Sequence, residues 1–204
     1  MSRQINKSSP GRMEPKSLLK AVAARFVLAV VLLGTLFFTT AWSFGYWQAW
    51  VYMLVLFVPM LMITRYMYRH DPALLERRLR SGEKQTAQKL VVALSSLSFL
   101  LIFAIPGFDV RFGWSNVPPF VVIISDLMVL FGYLMVALVF KTNSYASRIV
   151  EVEKGQKLVS TGPYAAIRHP MYLGVTVLFA FSPLALGSYW ALIPVLPIIP
   201  LLVV

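Results

Sequence analysis

Long apolar runs separated by short polar segments dominate this chain. A membrane helix needs about 20 apolar residues to cross a hydrocarbon core of about 30 Å. Four runs meet this requirement: Val22–Phe44, about Trp50–Tyr66, about Lys89–Ile105 and Pro119–Phe140. Two shorter runs follow, at about Tyr172–Leu186 and Trp190–Val204. The pattern predicts an all-α, polytopic integral membrane bundle of about five or six membrane segments.

Turn residues predict how these runs are connected. The segment Gly45–Gln48 is short enough to join the first two runs only as antiparallel neighbours, and Gly187–Ser188 predicts a hairpin of the last two. We expect Pro106–Gly107 to end the third run, because proline withholds a helical donor and glycine loosens the backbone. Prolines after Trp190 argue against a regular helix in the last run.

Basic residues are concentrated in three segments. Of 19 Lys and Arg, six lie in Met1–Arg25, seven in Arg65–Lys89 and five in Lys141–Arg168. The positive-inside rule places these segments, and with them the amino terminus, in the cytoplasm. We divide the chain into a basic cytoplasmic amino terminus, residues 1–21, and a single membrane domain, residues 22–204. The net charge of +11 is explained by this topology and by attraction to membrane lipids, so we expect no nucleic-acid partner.

Outside one segment, which is described below, the chain has few polar residues that could take part in catalysis or binding. The chain has no cysteine, which excludes thiolate chemistry. It has only two histidines, His70 and His169, and these do not make a metal site on their own. We expect His70 at the membrane interface. Asp126 lies within a span, 14 residues before Lys141 and thus about 21 Å from the cytoplasmic end. We expect it to make a polar contact, with Ser125 or a neighbouring helix, and to have no role in the site.

The segment Gly155–Gly174 places polar and cationic groups between two apolar runs, where a membrane anchor would need none. Gly162–Pro163 is typical of a turn, which places Tyr164 at a defined point after it. Pro170 suits the first turn of a helix. The start of that helix would offer unpaired N–H groups and a positive end, which favour a carboxylate or phosphate.

Side chains of this segment add to the predicted site. Tyr164 and Tyr172 offer aromatic faces to a cation or a flat ring, and His169 can form a hydrogen bond near neutral pH. Arg168 and His169 are expected at the mouth of the helix. The segment therefore suits a ligand that carries an anion, a cation and a ring. S-adenosylmethionine has all three, whereas nucleotides share two of them.

The same residues carry a family resemblance. The pattern Leu158-Val159-x-x-Gly162-Pro163-Tyr164, followed by Arg168-His169-Pro170-x-Tyr172-x-Gly174, is similar to the signature of the isoprenylcysteine carboxyl methyltransferase and phospholipid N-methyltransferase superfamily of membrane enzymes. Asn143–Ser147 and Asp71–Arg78 also resemble bacterial members of this superfamily. The resemblance covers the chain from about Trp50 onward.

The resemblance implies an S-adenosylmethionine-dependent methyltransferase in a bacterial plasma membrane, with a lipophilic small-molecule or lipidated acceptor that enters from the bilayer. It implies these cofactor-binding residues: Gln156, Lys157, Leu158, Val159, Tyr164, His169, Pro170, Met171 and Tyr172. Many members have histidine at the position of Gln156. Arg168 is the candidate catalytic residue, which would orient an anionic acceptor or the donor carboxylate. A sulfonium carbon is already electrophilic, so methyl transfer depends mainly on positioning.

The sequence departs from the family at its carboxy-terminal end, and two alternative functions stay open. Family members continue into a cytoplasmic helix that closes over the donor, whereas this sequence stops at Val204 within apolar sequence, so we expect a truncated member that lacks half of the pocket. One alternative is an NADPH-dependent membrane reductase of the sterol-reductase type, although Met171 replaces a frequent asparagine there. The other is a non-catalytic membrane protein. Prenylcysteine, a phospholipid amine and a small thiol all stay open as acceptors, as does the oligomeric state.

Overall fold

The computed structural model describes residues 14–79, 89–143 and 160–197, and within these ranges the chain is helical without any strand. The α-helices are α1 (Pro15–Ala41), α2 (Trp47–His70), α3 (Pro72–Leu79), α4 (Lys89–Phe112), α5 (Pro119–Thr142) and α6 (Pro170–Ala185). Two 3₁₀ helices span Gly162–Ala165 and Trp190–Val195. In the described part, α1, α2 and α5 are long and apolar enough to cross a membrane. The predicted all-α membrane bundle is confirmed.

The first two helices form the antiparallel hairpin that the sequence predicts. Trp42 takes a left-handed conformation with φ 53° where α1 ends. Aromatic contacts then join the two helices along their lengths. The ring centroids of Phe38 and Trp50 lie 4.5 Å apart near the turn, and those of Phe26 and Phe57 lie 5.4 Å apart further along.

The first helix begins well before the predicted boundary at Val22. Pro15 stands in its first turn, where its missing N–H costs nothing. Leu18, three residues later, is buried against other helices, and this contact extends the helix into the basic segment. Residues 15–21 of the predicted basic amino terminus are therefore helical.

The predicted end of the third run at Pro106–Gly107 is wrong, because α4 continues to Phe112. Pro106 is fully buried within the helix. Gly107 packs directly on α1, since a Cβ atom at this position would lie 1.8 Å from Oγ1 of Thr40. Packing against a neighbouring helix compensates for the single backbone hydrogen bond that a proline removes inside a membrane bundle.

Two glycines allow α5 and α6 to approach closely. A Cβ atom on Gly132 would lie 2.7 Å from the carbonyl oxygen of Gly174, and a Cβ atom on Gly174 would lie 2.9 Å from that of Gly132. Small residues of this kind let helix backbones meet in membrane proteins. The contact fixes the start of α6 relative to the middle of α5.

One end of the bundle, which we call the basic end, gathers the start of α1, the ends of α2 and α5, α3 and the start of α6. A buried apolar cluster joins these elements and includes Leu18, Met67, Leu74, Val139 and Phe140. Its elements carry most of the described cations, namely Lys16, Lys20, Arg25, Arg65, Arg69, Arg78, Lys141 and Arg168. Basic segments that are far apart in sequence therefore meet in space.

A polar network closes the opposite end. Asp109, in the last turn of α4, accepts hydrogen bonds from the backbone N–H and hydroxyl of Ser115, both at 2.6 Å, and from the hydroxyl of Ser188. Gly187, with φ 78°, turns the chain after α6 into the 3₁₀ helix Trp190–Val195. The predicted turn is confirmed there, and the described part of the last run is not a regular α-helix.

Asp126 does not form the expected polar contact. It is buried in α5, and neither carboxylate oxygen has a hydrogen-bond partner among the described residues. The hydroxyl of Ser125 instead donates to the carbonyl of Val121 at 2.7 Å. The hydroxyl of Ser125 is therefore used in a hydrogen bond to the backbone of α5 and does not donate to Asp126.

Candidate functional site at the start of α6

The 3₁₀ helix Gly162–Ala165 rests on the end of α5. Gly162 has φ 61°, and a Cβ atom there would lie 2.6 Å from Cγ2 of Thr142, so the turn requires glycine on both grounds. The side-chain amide of Asn143 donates to the hydroxyl of Tyr164 at 3.1 Å. These contacts hold Tyr164 against α5.

The backbone at the start of α6 has the expected geometry. Pro170 is the first residue of the helix and is fully buried. The carbonyl of His169 accepts from the N–H of Leu173 at 3.2 Å. The N–H groups of Met171 and Tyr172 belong to the first turn, where a helix supplies no acceptor of its own. This end of α6 therefore offers backbone donors and a partial positive charge.

An exposed aromatic pair stands beside these donors. The rings of His169 and Tyr172 are stacked, with centroids 5.5 Å apart and planes inclined by 24°. Tyr172 is 46% exposed, and His169 is also exposed. Arg168 is exposed next to them and forms no ion pair with any described residue. The three side chains form an open, cationic and aromatic face.

The described site residues divide into two groups. Tyr164 and Met171 pack on the buried cluster that includes Leu74 and Phe140, so they face the interior with Pro170. Arg168, His169 and Tyr172 face outward. The remaining predicted cofactor-binding residues, Gln156, Lys157, Leu158 and Val159, lie outside the described part of the chain.

Sequence reasoning missed the residues that position this face. Gly132 and Thr142 contact Gly174 and Gly162, and nothing in the sequence pairs them before the helices are assembled. Asn143 belongs to a segment that resembles the family, and that resemblance could have drawn attention to its side chain. Each of these residues acts on the site through a neighbour rather than by facing a ligand.

A second stacked pair lies elsewhere at the basic end. The rings of Tyr66 and His70 in α2 have centroids 4.4 Å apart and planes inclined by 18°. Nδ1 of His70 lies 3.0 Å from the carbonyl oxygen of Tyr66 within the same helical turn. This pair lies in the last turn of α2. The pair formed by His169 and Tyr172 instead lies at the start of α6, beside the N–H groups of its first turn.

Comparison with known families connects this geometry to a function. The sequence model of the phospholipid methyltransferase family matches residues 120–204. Residues 120–204 are therefore similar to a phospholipid methyltransferase domain. This region contains all of α5 except its first residue, together with α6, both 3₁₀ helices and every predicted site residue, and the matched family belongs to the superfamily that the sequence motifs resemble. No curated protein and no solved structure matches the chain.

Proposed function

We propose that the chain is an S-adenosylmethionine-dependent methyltransferase that acts on a lipophilic acceptor at the basic end of the bundle. The similarity of residues 120–204 to a phospholipid methyltransferase domain supports the reaction class. The observation that carries the proposal is the stacked pair of His169 and Tyr172 beside the first-turn N–H groups of α6, which no described side chain caps. Together they supply recognition for a ring, a cation and an anion within one helical turn.

The described residues fit the donor group by group. The first turn of α6 and the guanidinium of Arg168 attract a carboxylate. The face of the His169–Tyr172 pair suits a flat heterocycle or a cation. Tyr164 presents a hydroxyl that Asn143 already orients. In this proposal Gln156, Lys157, Leu158 and Val159 complete the donor site, and Pro170 and Met171 support it from the interior.

The protein contributes position rather than acid–base chemistry. When bound, S-adenosylmethionine supplies an electrophilic methyl group on a sulfonium, which an acceptor takes by in-line displacement. The contact of Gly132 with Gly174 and the buried Pro170 hold the start of α6 in a fixed place. Arg168 is free of described ion pairs and can orient an anionic acceptor or the donor carboxylate. Alignment of this kind supplies much of the rate gain in group transfer.

The membrane orientation follows from charge. The described cations at the basic end favour a cytoplasmic position for that end, and with it a cytoplasmic amino terminus. The resemblance to bacterial members favours a plasma membrane. Arg111, in the last turn of α4, lies at the opposite end. In this orientation the donor binds from the cytoplasm and the acceptor enters from the bilayer.

Calorimetric titration of the detergent-purified chain with S-adenosylhomocysteine tests the proposal. We expect binding that His169→Ala and Tyr172→Ala each weaken by roughly tenfold, the effect of removing one stacked face. His70→Ala and Tyr66→Ala are matched controls, because they break a similar pair at the same end of the molecule. These controls should leave the affinity unchanged.

Three outcomes would contradict the proposal. An equal loss of affinity for S-adenosylhomocysteine in the variants of both stacked pairs would show that the effect is not specific to α6. Tight binding of NADPH in place of S-adenosylhomocysteine would favour the membrane reductase. Binding of neither ligand to a chain that still unfolds cooperatively would favour a non-catalytic membrane protein.

A further inference from the structure

The hydrogen bond between Asn143 and Tyr164 runs in one direction. The side-chain amide of Asn143 donates, and the hydroxyl oxygen of Tyr164 accepts at 3.1 Å. A phenol hydroxyl can accept one hydrogen bond and donate another at the same time. The hydrogen of the Tyr164 hydroxyl is not used in this bond, and it has no acceptor among the residues that the structure describes. Tyr164 therefore keeps one donor for a ligand.

The position of this hydroxyl is fixed by packing. The ring of Tyr164 is half-buried on the apolar cluster that includes Phe140, and Met171 packs on the same cluster. The turn before the ring is fixed as well, because Gly162 takes φ 61° and packs on Thr142. A polar group that is partly withdrawn from water gains free energy when a ligand supplies the missing acceptor.

The start of α6 indicates which group of a ligand would accept this hydrogen. Met171 is the second residue of α6, and its backbone N–H belongs to the first turn of the helix. In the proposed function, that turn and the guanidinium of Arg168 attract a carboxylate. Tyr164 packs beside Met171 on one cluster, so its hydroxyl adds a further donor to the recognition of the same group.

We propose that Tyr164 donates its hydroxyl hydrogen to the carboxylate of the methyl donor, and that Asn143 is the positioning residue that sets this direction. Asn143 acts by donating to the hydroxyl oxygen, which leaves the hydrogen for the ligand. The inference rests on the proposed function, because it assigns a hydrogen bond to the donor that this function requires.

Calorimetric titration of the full chain with two ligands tests the contact. S-adenosylhomocysteine carries the amino-acid carboxylate, whereas methylthioadenosine keeps the adenosine and the thioether without it. Tyr164→Phe should weaken the binding of S-adenosylhomocysteine by roughly tenfold, as expected for a lost charge-assisted hydrogen bond, and should leave the affinity for methylthioadenosine unchanged. Tyr66→Phe is the matched control, because Tyr66 lies at the same end and its hydroxyl forms no hydrogen bond with a described residue. This control should change neither affinity.

Asn143→Asp tests the positioning role by reversing the bond. A carboxylate only accepts hydrogen bonds, so the hydroxyl of Tyr164 would turn its hydrogen to the new side chain and away from the ligand. We expect the affinity for S-adenosylhomocysteine to fall by roughly tenfold. The loss should be smaller in the Tyr164→Phe background, where no hydroxyl is left to turn, and this coupling separates positioning from charge repulsion. Thermal unfolding without ligand checks that each variant is folded.

The results distinguish failure of this inference from failure of the proposed function. If the wild type binds neither ligand, the proposed function fails and the inference fails with it. If the wild type binds S-adenosylhomocysteine and Tyr164→Phe binds it equally tightly, or weakens both ligands alike, the inference fails alone. An equal loss from Asn143→Asp in both backgrounds would overturn the positioning role of Asn143.

Discussion

The packing of Gly132 against Gly174 gives a quantitative test of the fold around the site. A Cβ atom on Gly132 would lie 2.7 Å from the carbonyl oxygen of Gly174, whereas ordinary contacts begin at 3.4 Å. Gly132→Ala must therefore separate α5 from α6 by about 0.7 Å, because the contacting atom belongs to the backbone and cannot rotate away. Overpacking of this kind costs about 1–3 kcal/mol.

A matched exchange in α1 isolates this cost. Alanine is favoured over glycine in a helix by about 1 kcal/mol, which offsets part of the strain. Gly34→Ala makes the same chemical change, but its Cβ atom would lie 3.4 Å from the flexible Cε of Met53, an ordinary contact. The helix preference is common to both variants. We therefore expect Gly132→Ala to be less stable than Gly34→Ala by about 1–3 kcal/mol.

Denaturant unfolding in mixed micelles, followed by tryptophan fluorescence, measures this difference. Gly174→Ala should also destabilise the protein relative to Gly34→Ala, since its Cβ atom would lie 2.9 Å from the carbonyl oxygen of Gly132. Gly132→Ala and Gly174→Ala should also bind S-adenosylhomocysteine more weakly than Gly34→Ala does, because separation of α5 from α6 displaces the start of α6. Equal stability of Gly132→Ala and Gly34→Ala would refute the close approach of α5 and α6.

Three further substitutions probe other contacts. Tyr164→Phe removes the hydrogen bond from Asn143 and should cost about 0.5–1.5 kcal/mol by denaturant unfolding, so an unchanged unfolding free energy would argue against that bond. Asp109→Asn weakens the network with Ser188 at the opposite end and should cost about 1.5–3 kcal/mol without changing donor affinity, and a change in calorimetric affinity would contradict this separation. Asp126→Asn removes a buried carboxylate without a described partner and should leave the thermal midpoint unchanged or raise it, whereas a marked fall would reveal a partner.

Much of the architecture could be predicted from hydrophobic length and charge. The span Pro119–Phe140 corresponds to α5, which ends only two residues later at Thr142. Both features are local or compositional, since a bilayer sets the length of an apolar run and cations avoid its interior. They also predict that the basic segments lie on one side of the membrane, and the described parts of these segments gather at one end of the bundle.

Contacts between helices could not be predicted in this way. Pro106 was expected to end α4, yet the close packing of Gly107 on Thr40 keeps the helix intact beyond it. The partner of Gly174 is Gly132, at a distance in sequence that no local pattern encodes. Such contacts depend on how assembled helices are rotated, and rotation is not specified by the length of an apolar run.

The family-like motif contains both buried residues and exposed residues, and the spacing of the motif does not show which are which. Tyr164 and Met171 pack on the buried cluster, so their replacement removes packing as well as any contact with a ligand. His169 and Tyr172 are exposed and support little of the interior, so their replacement should change binding with little effect on unfolding. A ratio of lost affinity to lost stability, measured residue by residue, therefore distinguishes the surface that faces a ligand from the residues that hold that surface in place.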